Sequence, residues 1–209
     1  MSVTVIRYHL RMGRWQPDAR GRLEKAAMEL YFERGFDETT VAEIAARAGL
    51  TERTFFRHFA DKRETLFAGA PLLQEVLVQA VVDAPAGVAP VDAGLAGIVA
   101  GGALIQQRRD YARQRYAIIA ANAELQEREL IKLASLSLAL AGALERRDVP
   151  AHAASLAAEV IIAVFRVAFE RWVEDPLHLD LPDLMRESLH ELRVVTADSG
   201  EPAPTNVGT

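Results

Sequence analysis

The chain predicts an all-α protein in two parts, an N-terminal three-helix domain and a C-terminal helical domain, about nine helices in all. Three observations lead there. Half of the 209 residues are apolar, with few aromatics and much Ala and Leu, which suits packed helices better than strands. Apolar residues recur at the three-and-four spacing of one helix face through most segments between turn signals. Charge is divided: residues 1 to 69 hold 12 Lys+Arg against 10 Asp+Glu, a net +2, and the remainder holds 12 against 19, a net -7. The overall -5 therefore hides a basic head on an acidic body.

Residues 1 to 17 carry Arg7, Arg11 and Arg14 with no acid before Asp18 and lack helical periodicity. They read as a flexible N-terminal arm, either a disordered leader or a basic segment laid on phosphates or in the minor groove. Met12 opens MGRWQPDARGRL, which reads as an alternative start. Asp18 caps a helix to Arg34 with Leu23, Ala26, Ala27, Leu30 and Tyr31 on one face. Phe36 plugs the core after it, and Asp37 to Thr39 connect to the next helix.

Thr40 to Phe59, TVAEIAARAGLTERTFFRHF, is two short amphipathic helices across a tight turn. Val41, Ile44, Ala45 and Ala48 form one apolar face, Gly49 stands where a left-handed C-cap is needed, Leu50 is the apolar plug, and Thr51 caps the second helix. On that helix Phe55 and Phe59 anchor the fold, leaving Glu52, Arg53, Phe56, Arg57 and His58 facing outward. This is a helix-turn-helix pattern, whose second helix enters the major groove. Arg53, Thr54 and Arg57 are the expected base-readers, since a guanidinium bonds guanine O6/N7 or a phosphate in bidentate fashion.

Taken together, Thr39-Thr40-Val41, Ile44-Ala45, Ala48-Gly49-Leu50-Thr51, Thr54-Phe55-Phe56, His58-Phe59 and Lys62 resemble the DNA-binding domain of the tetracycline-repressor (TetR) family, over about residues 18 to 67. The resemblance implies that Thr40, Thr51, His58 and Lys62 contact phosphates, Lys62 with the N-terminus of a further helix capped by Asp61. It also implies that this helix couples an effector in the body to DNA release. Two positions depart from the family pattern. Arg53 replaces a common Gly, and Phe56 replaces a Tyr whose hydroxyl bonds a phosphate.

Gly69 and Pro71 mark a break, so the DNA-binding domain is placed at residues 18 to 69 and the effector-binding and dimerisation domain at 70 to 196. Leu72, Leu73, Val76, Leu77 and Ala80 continue an apolar face to about Val82, and residues 83 to 90 are a loop. Val91 to about Gln107 is a helix rich in small residues, with Gly94, Gly97, Gly101 and Gly102, suited to close packing or to leaving room for a ligand. Arg108, Arg109, Arg113 and Arg115 read as a solvated face. The alternative sets one Arg against an acidic effector in a pocket with Tyr111, Tyr116, Arg113, Phe165, Phe169 and Arg166.

Asn122 reads as the N-cap of a long helix to about Arg147, with Leu125, Leu133, Leu136, Leu140 and Leu144 buried. Val149-Pro150 breaks it, and residues 151 to 174 form a helix with two apolar stripes, Leu156, Val160, Val164 and Val167 beside Phe165, Phe169 and Trp172. Arg166 there is either paired with an acid or set in a pocket. Such a helix needs cover on two sides, which predicts a dimer interface using Val160, Val164 and Trp172, joined by Leu184 and Leu189 of a last helix, Leu181 to Val195. Residues 197 to 209 read as a disordered tail.

Without Cys there is no disulfide framework, thiolate metal site or cysteine nucleophile, and no HExxH, GxSxG or phosphate-loop signature occurs. His178 and Asp180 read as polar surface rather than metal ligands. No catalytic residue, metal or cofactor is expected. With no signal-peptide pattern and no uninterrupted apolar run near twenty residues, the expected location is the cytoplasm, away from membranes. The sequence thus predicts a homodimeric transcriptional repressor that binds a palindromic operator in double-stranded DNA and is released by a small-molecule effector. The alternative is a constitutive regulator or architectural protein whose body serves only for dimerisation.

Overall fold

The computed structural model describes residues 18 to 175 and 179 to 197. The arm expected at residues 1 to 17, His178 and the tail beyond Ala197 lie outside them. The described residues are helical, without strands, and divide into two compact units, one ending at Leu66 and the other beginning at Phe67.

In the first unit α1 (Ala19–Arg34), α2 (Val41–Arg47) and α3 (Glu52–His58) pack on one another. Leu23, Ala26, Ala27, Leu30 and Tyr31 of α1, Ile44 and Ala45 of α2 and Phe55 and Phe59 around α3 are all buried, as their spacing requires. The helix expected after Asp61 is instead a 3-10 helix of five residues, Arg63–Phe67. The Asp61 carboxylate accepts from the Arg63 and Glu64 N–H groups at 2.8 and 3.2 Å, so it caps the first turn as its position suggests, but the turn that follows is 3-10 rather than α.

The second unit comprises α4 (Ala70–Val82), α5 (Pro90–Gln106), α6 (Arg109–Ala120), α7 (Ala123–Glu145), α8 (Ala151–Glu174) and α9 (Leu181–Thr196). Helix α5 is its centre and touches α4, α6, α7, α8 and α9. Its glycines make that possible. A Cβ on Gly97 would stand 2.8 Å from Val81 Cγ2 and 3.0 Å from the Leu77 carbonyl oxygen, and one on Gly101 would stand 2.3 Å from Leu77 Cδ1. Of the two readings of this stripe, close packing is the one realised at all four positions, with Ile161 filling the space at Gly94 and Met185 that at Gly102.

Helix ends in the body are closed by long polar side chains. Arg147 donates to the carbonyls of Val82, Ala84 and Pro85 at the end of α4. Arg109 does the same for Trp172, Asp175 and Leu179 at the end of α8, with its guanidinium 4.7 Å from the Trp172 ring centre. These bonds satisfy carbonyls that no helix partner reaches. Asn122 does occupy the position before α7, but its amide donates to the Ile118 carbonyl at 2.6 Å and so closes α6 instead. By length and composition α8 would suffice to cross a bilayer, yet its buried face is taken by α5, α7 and α9.

Candidate nucleic-acid interface

Local chemistry sets the two helices of the head at their angle. Thr40 caps α2 through a capping box: its hydroxyl accepts from Glu43 N–H, and its own N–H donates to the Glu43 carboxylate at 2.9 Å. Those bonds hold the Glu43 carboxyl below the usual carboxylate range. The motif Thr40-x-x-Glu43 was readable in the chain and passed over. Helix α2 ends at Ala48, whose carbonyl accepts from Arg22 Nη1 at 3.1 Å, and Gly49 turns the backbone at φ 67°, a left-handed angle that glycine adopts without strain. Leu50 N–H then bonds the Ala45 carbonyl at 2.8 Å, and Thr51 caps α3 by accepting from Thr54 N–H.

Phe55 is fully buried and leans on Phe59, their ring centres 5.5 Å apart. This anchors one side of α3 and leaves Glu52, Arg53, Phe56 and Arg57 exposed, with Thr54 and His58 half-buried. Arg53 and Arg57, four residues apart, share a face.

Ion pairs sort the basic residues of this unit. Arg47 forms a bidentate bridge to Glu33 at 2.9 and 2.8 Å, which lowers the Glu33 carboxyl and raises the guanidinium. Arg34 bonds Glu43, Arg20 bonds Glu24, Lys25 faces Glu29 and Arg63 bonds Asp61, whose carboxyl Arg63 holds below its ordinary value. Arg22 is held by Ala48. Among the described residues of the head, Arg53 and Arg57 are the two cations left without such a partner.

Lys62 departs from expectation. Its ammonium donates to the carbonyls of Phe36, Asp37 and Thr39 at 2.8, 3.1 and 3.0 Å, over the Phe36 ring. All three of its donors are used, so it braces the connection after α1 and offers none to a phosphate. The 3-10 helix beside it supplies no α-helix N-terminus either. His58 is likewise turned inward, with Nε2 buried and unbonded.

In the body, the expected pocket residues are brought together only in part. Phe165 stacks with Phe169 at 5.9 Å, Phe169 meets Tyr116 at 6.0 Å and Trp172 at 5.8 Å, so α6 and α8 share one aromatic cluster. Burial, with Glu170 and Glu174 nearby, pushes the Tyr116 hydroxyl up from its usual value. Arg113 is half-buried on α6, and Tyr111 lies under the Arg108 guanidinium at 4.2 Å. Arg166 is exposed, and among the described residues it is neither paired with an acid nor part of the cluster.

The expected dimer residues also fall elsewhere. Trp172, Leu184, Leu189 and Val164 are buried inside their own body, while Val160 is half-exposed. Among the apolar residues that α8 leaves exposed, Leu156, Ala163 and Val167 form with Val160 a stripe at four-three-four spacing. Both stripes of α8 were visible in the chain, but periodicity does not say which one its own body covers.

A family model for bacterial regulatory proteins of the tetR family matches residues 23 to 68, and one for the MftR C-terminal domain matches residues 88 to 197, more than half of the chain. The HTH-type transcriptional regulator TcmR of Streptomyces glaucescens is 38% identical over 74 residues, 35% of this chain and 33% of that protein, so the match spans about a third of TcmR. Thermus thermophilus FadR, a TetR-family repressor solved with lauroyl-CoA, shares the fold with a TM-score of 0.56 and 21% identity, covering 88% of this chain and 98% of that one. SmeT, the repressor of the Stenotrophomonas maltophilia multidrug efflux pump SmeDEF, solved with triclosan, does so with a TM-score of 0.61 and 21% identity, covering 91% and 97%. With a helix-turn-helix head and a body that both match, the chain belongs to the TetR family of transcriptional regulators.

Proposed function

We propose that this regulator is a repressor that binds a palindromic operator as a homodimer and lets go when a small molecule enters its body. The observation that carries the DNA half of this reading is the pair of uncommitted guanidiniums, Arg53 and Arg57, on the exposed face of α3. With Thr54 they read bases, and the exposed Thr51 hydroxyl at the start of α3 contacts phosphate; Lys62 drops out of the phosphate set because its donors are bonded, and His58 because its Nε2 is buried. Two-fold symmetry presents one α3 to each half-site. TetR regulators bind DNA and small molecules, typically as dimers. The second copy here packs along Leu156, Val160, Ala163 and Val167 of α8.

The relatives that hold lauroyl-CoA and triclosan support an effector for this body as well, and the Tyr116, Phe165 and Phe169 rings are its proposed contacts, with Tyr111 and Arg113 elsewhere on α6 as further candidates. Such a regulator works beside DNA in the cytoplasm. Selection of bound DNA from a random pool tests the reading. A palindrome should emerge, and Arg53→Ala should bind it roughly 1 to 3 kcal/mol more weakly while relaxing preference at one base position. Equal losses on the palindrome and on scrambled DNA would reject Arg53 as a base-reader. A thermal-shift screen addresses the effector, because a ligand of the folded state raises apparent stability by mass action.

A further inference from the structure

We propose that Phe56 determines specificity by seating its exposed ring against the C5-methyl group of a thymine in each half-site. This rests on the operator-binding reading above. Phe56 is 55% exposed, although leaving a phenyl ring in water forgoes its burial. The ring is also held in place. It meets Phe55 edge to face, centres 5.5 Å apart and planes at 83°, and Phe55 is fully buried against Phe59. Finally, it stands between the two uncommitted guanidiniums of α3, three residues after Arg53 and one before Arg57, so a groove that receives those receives the ring.

A phenyl ring has no donor or acceptor to offer a phosphate or a base nitrogen or oxygen. Among the base edges of the major groove, the thymine methyl is the apolar group, and apolar side chains including Phe pair with it. Contact would take both surfaces out of water. Where relatives by resemblance place a Tyr hydroxyl on a phosphate, this chain thereby exchanges a contact blind to sequence for one that reads a base.

The test uses the full chain and the operator selected from a random pool. Each thymine is replaced in turn by deoxyuridine at symmetry-related positions of both half-sites, which deletes one methyl and keeps every hydrogen-bonding atom. At one such pair the wild type should lose about fourfold per half-site, the transfer value of one methyl-sized group. Phe56→Ala should bind the thymine operator correspondingly more weakly and lose nothing further at that pair, with its helical content unchanged because Phe55 and Phe59 keep the buried side of α3. Indifference of the wild type to deoxyuridine at every position would overturn the proposal, as would a Phe56→Ala protein still sensitive at the same pair. If Arg53→Ala weakens operator binding while deoxyuridine is silent, the role of Phe56 fails alone; if no sequence emerges from the pool, the operator reading fails and this one with it.

Discussion

Lys62 holds three carbonyls with one ammonium, and its own carbonyl receives the Tyr31 and Thr65 hydroxyls at 2.7 Å each. The end of α1, the connection to α2 and the segment after α3 thus meet at a single residue. Removing the ammonium leaves those carbonyls unbonded. Lys62→Met should lower unfolding free energy by roughly 1.5 to 3 kcal/mol, the range for hydrogen bonds to a charged group. Once folded protein is compared with folded protein, the dependence of operator affinity on salt should keep its slope. A slope shallower by about one would instead mark a lost phosphate contact and restore the expectation drawn from resemblance. Arg53 predicts the opposite pattern, with stability kept and base preference lost, so the pair separates bracing from reading.

Among the helices, α5 shows how one residue type has opposite consequences in two places. Gly97→Ala puts a methyl 3.0 Å from the Leu77 backbone oxygen, which cannot swing aside as a side chain can. Overpacking costs about 1 to 3 kcal/mol, more than the helix propensity gained, so this variant should melt lower. Gly142 lies inside α7, and a Cβ there would meet nothing within 4 Å. Gly142→Ala should therefore stabilise by about 0.5 to 1 kcal/mol. Chemical denaturation of the two variants checks both signs, and a stabilised Gly97→Ala would mean that α5 packs less closely than described. That glycines crowd α5 was plain in the chain, as was the choice between packing and pocket. What stands opposite each glycine belongs to α4, α8 and α9 and was not.

At the scale of the molecule, α8 has one face turned into its body and one turned out. Val167→Glu and Leu156→Glu place charge on the outer stripe, where both residues are at least half exposed. Each should leave secondary structure intact and shift sedimentation toward the monomer. Trp172→Ala, by contrast, empties a fully buried site and should cost about 3 to 5 kcal/mol, loosening the body whether or not it is dimeric. A dimer untouched by both glutamates would move the interface off α8.

Much of the head was determined by its sequence alone, because its signals are local. Caps at Asp18 and Thr51, the left-handed Gly49 and the Phe55–Phe59 spacing act within one or two helical turns, and all appear where they were read. The start of α8 follows in the same way from Pro150. Only the tertiary structure decided how long side chains and apolar faces are spent. Lys62 reaches carbonyls some 25 residues away, Arg109 closes a helix that ends more than 60 residues later, and Trp172 faces inward while Val167 faces out. A flexible cation or a helix apolar on two sides has several partners of similar energy within reach. Which one it takes depends on what the rest of the chain brings alongside, and no spacing in its own neighbourhood records that.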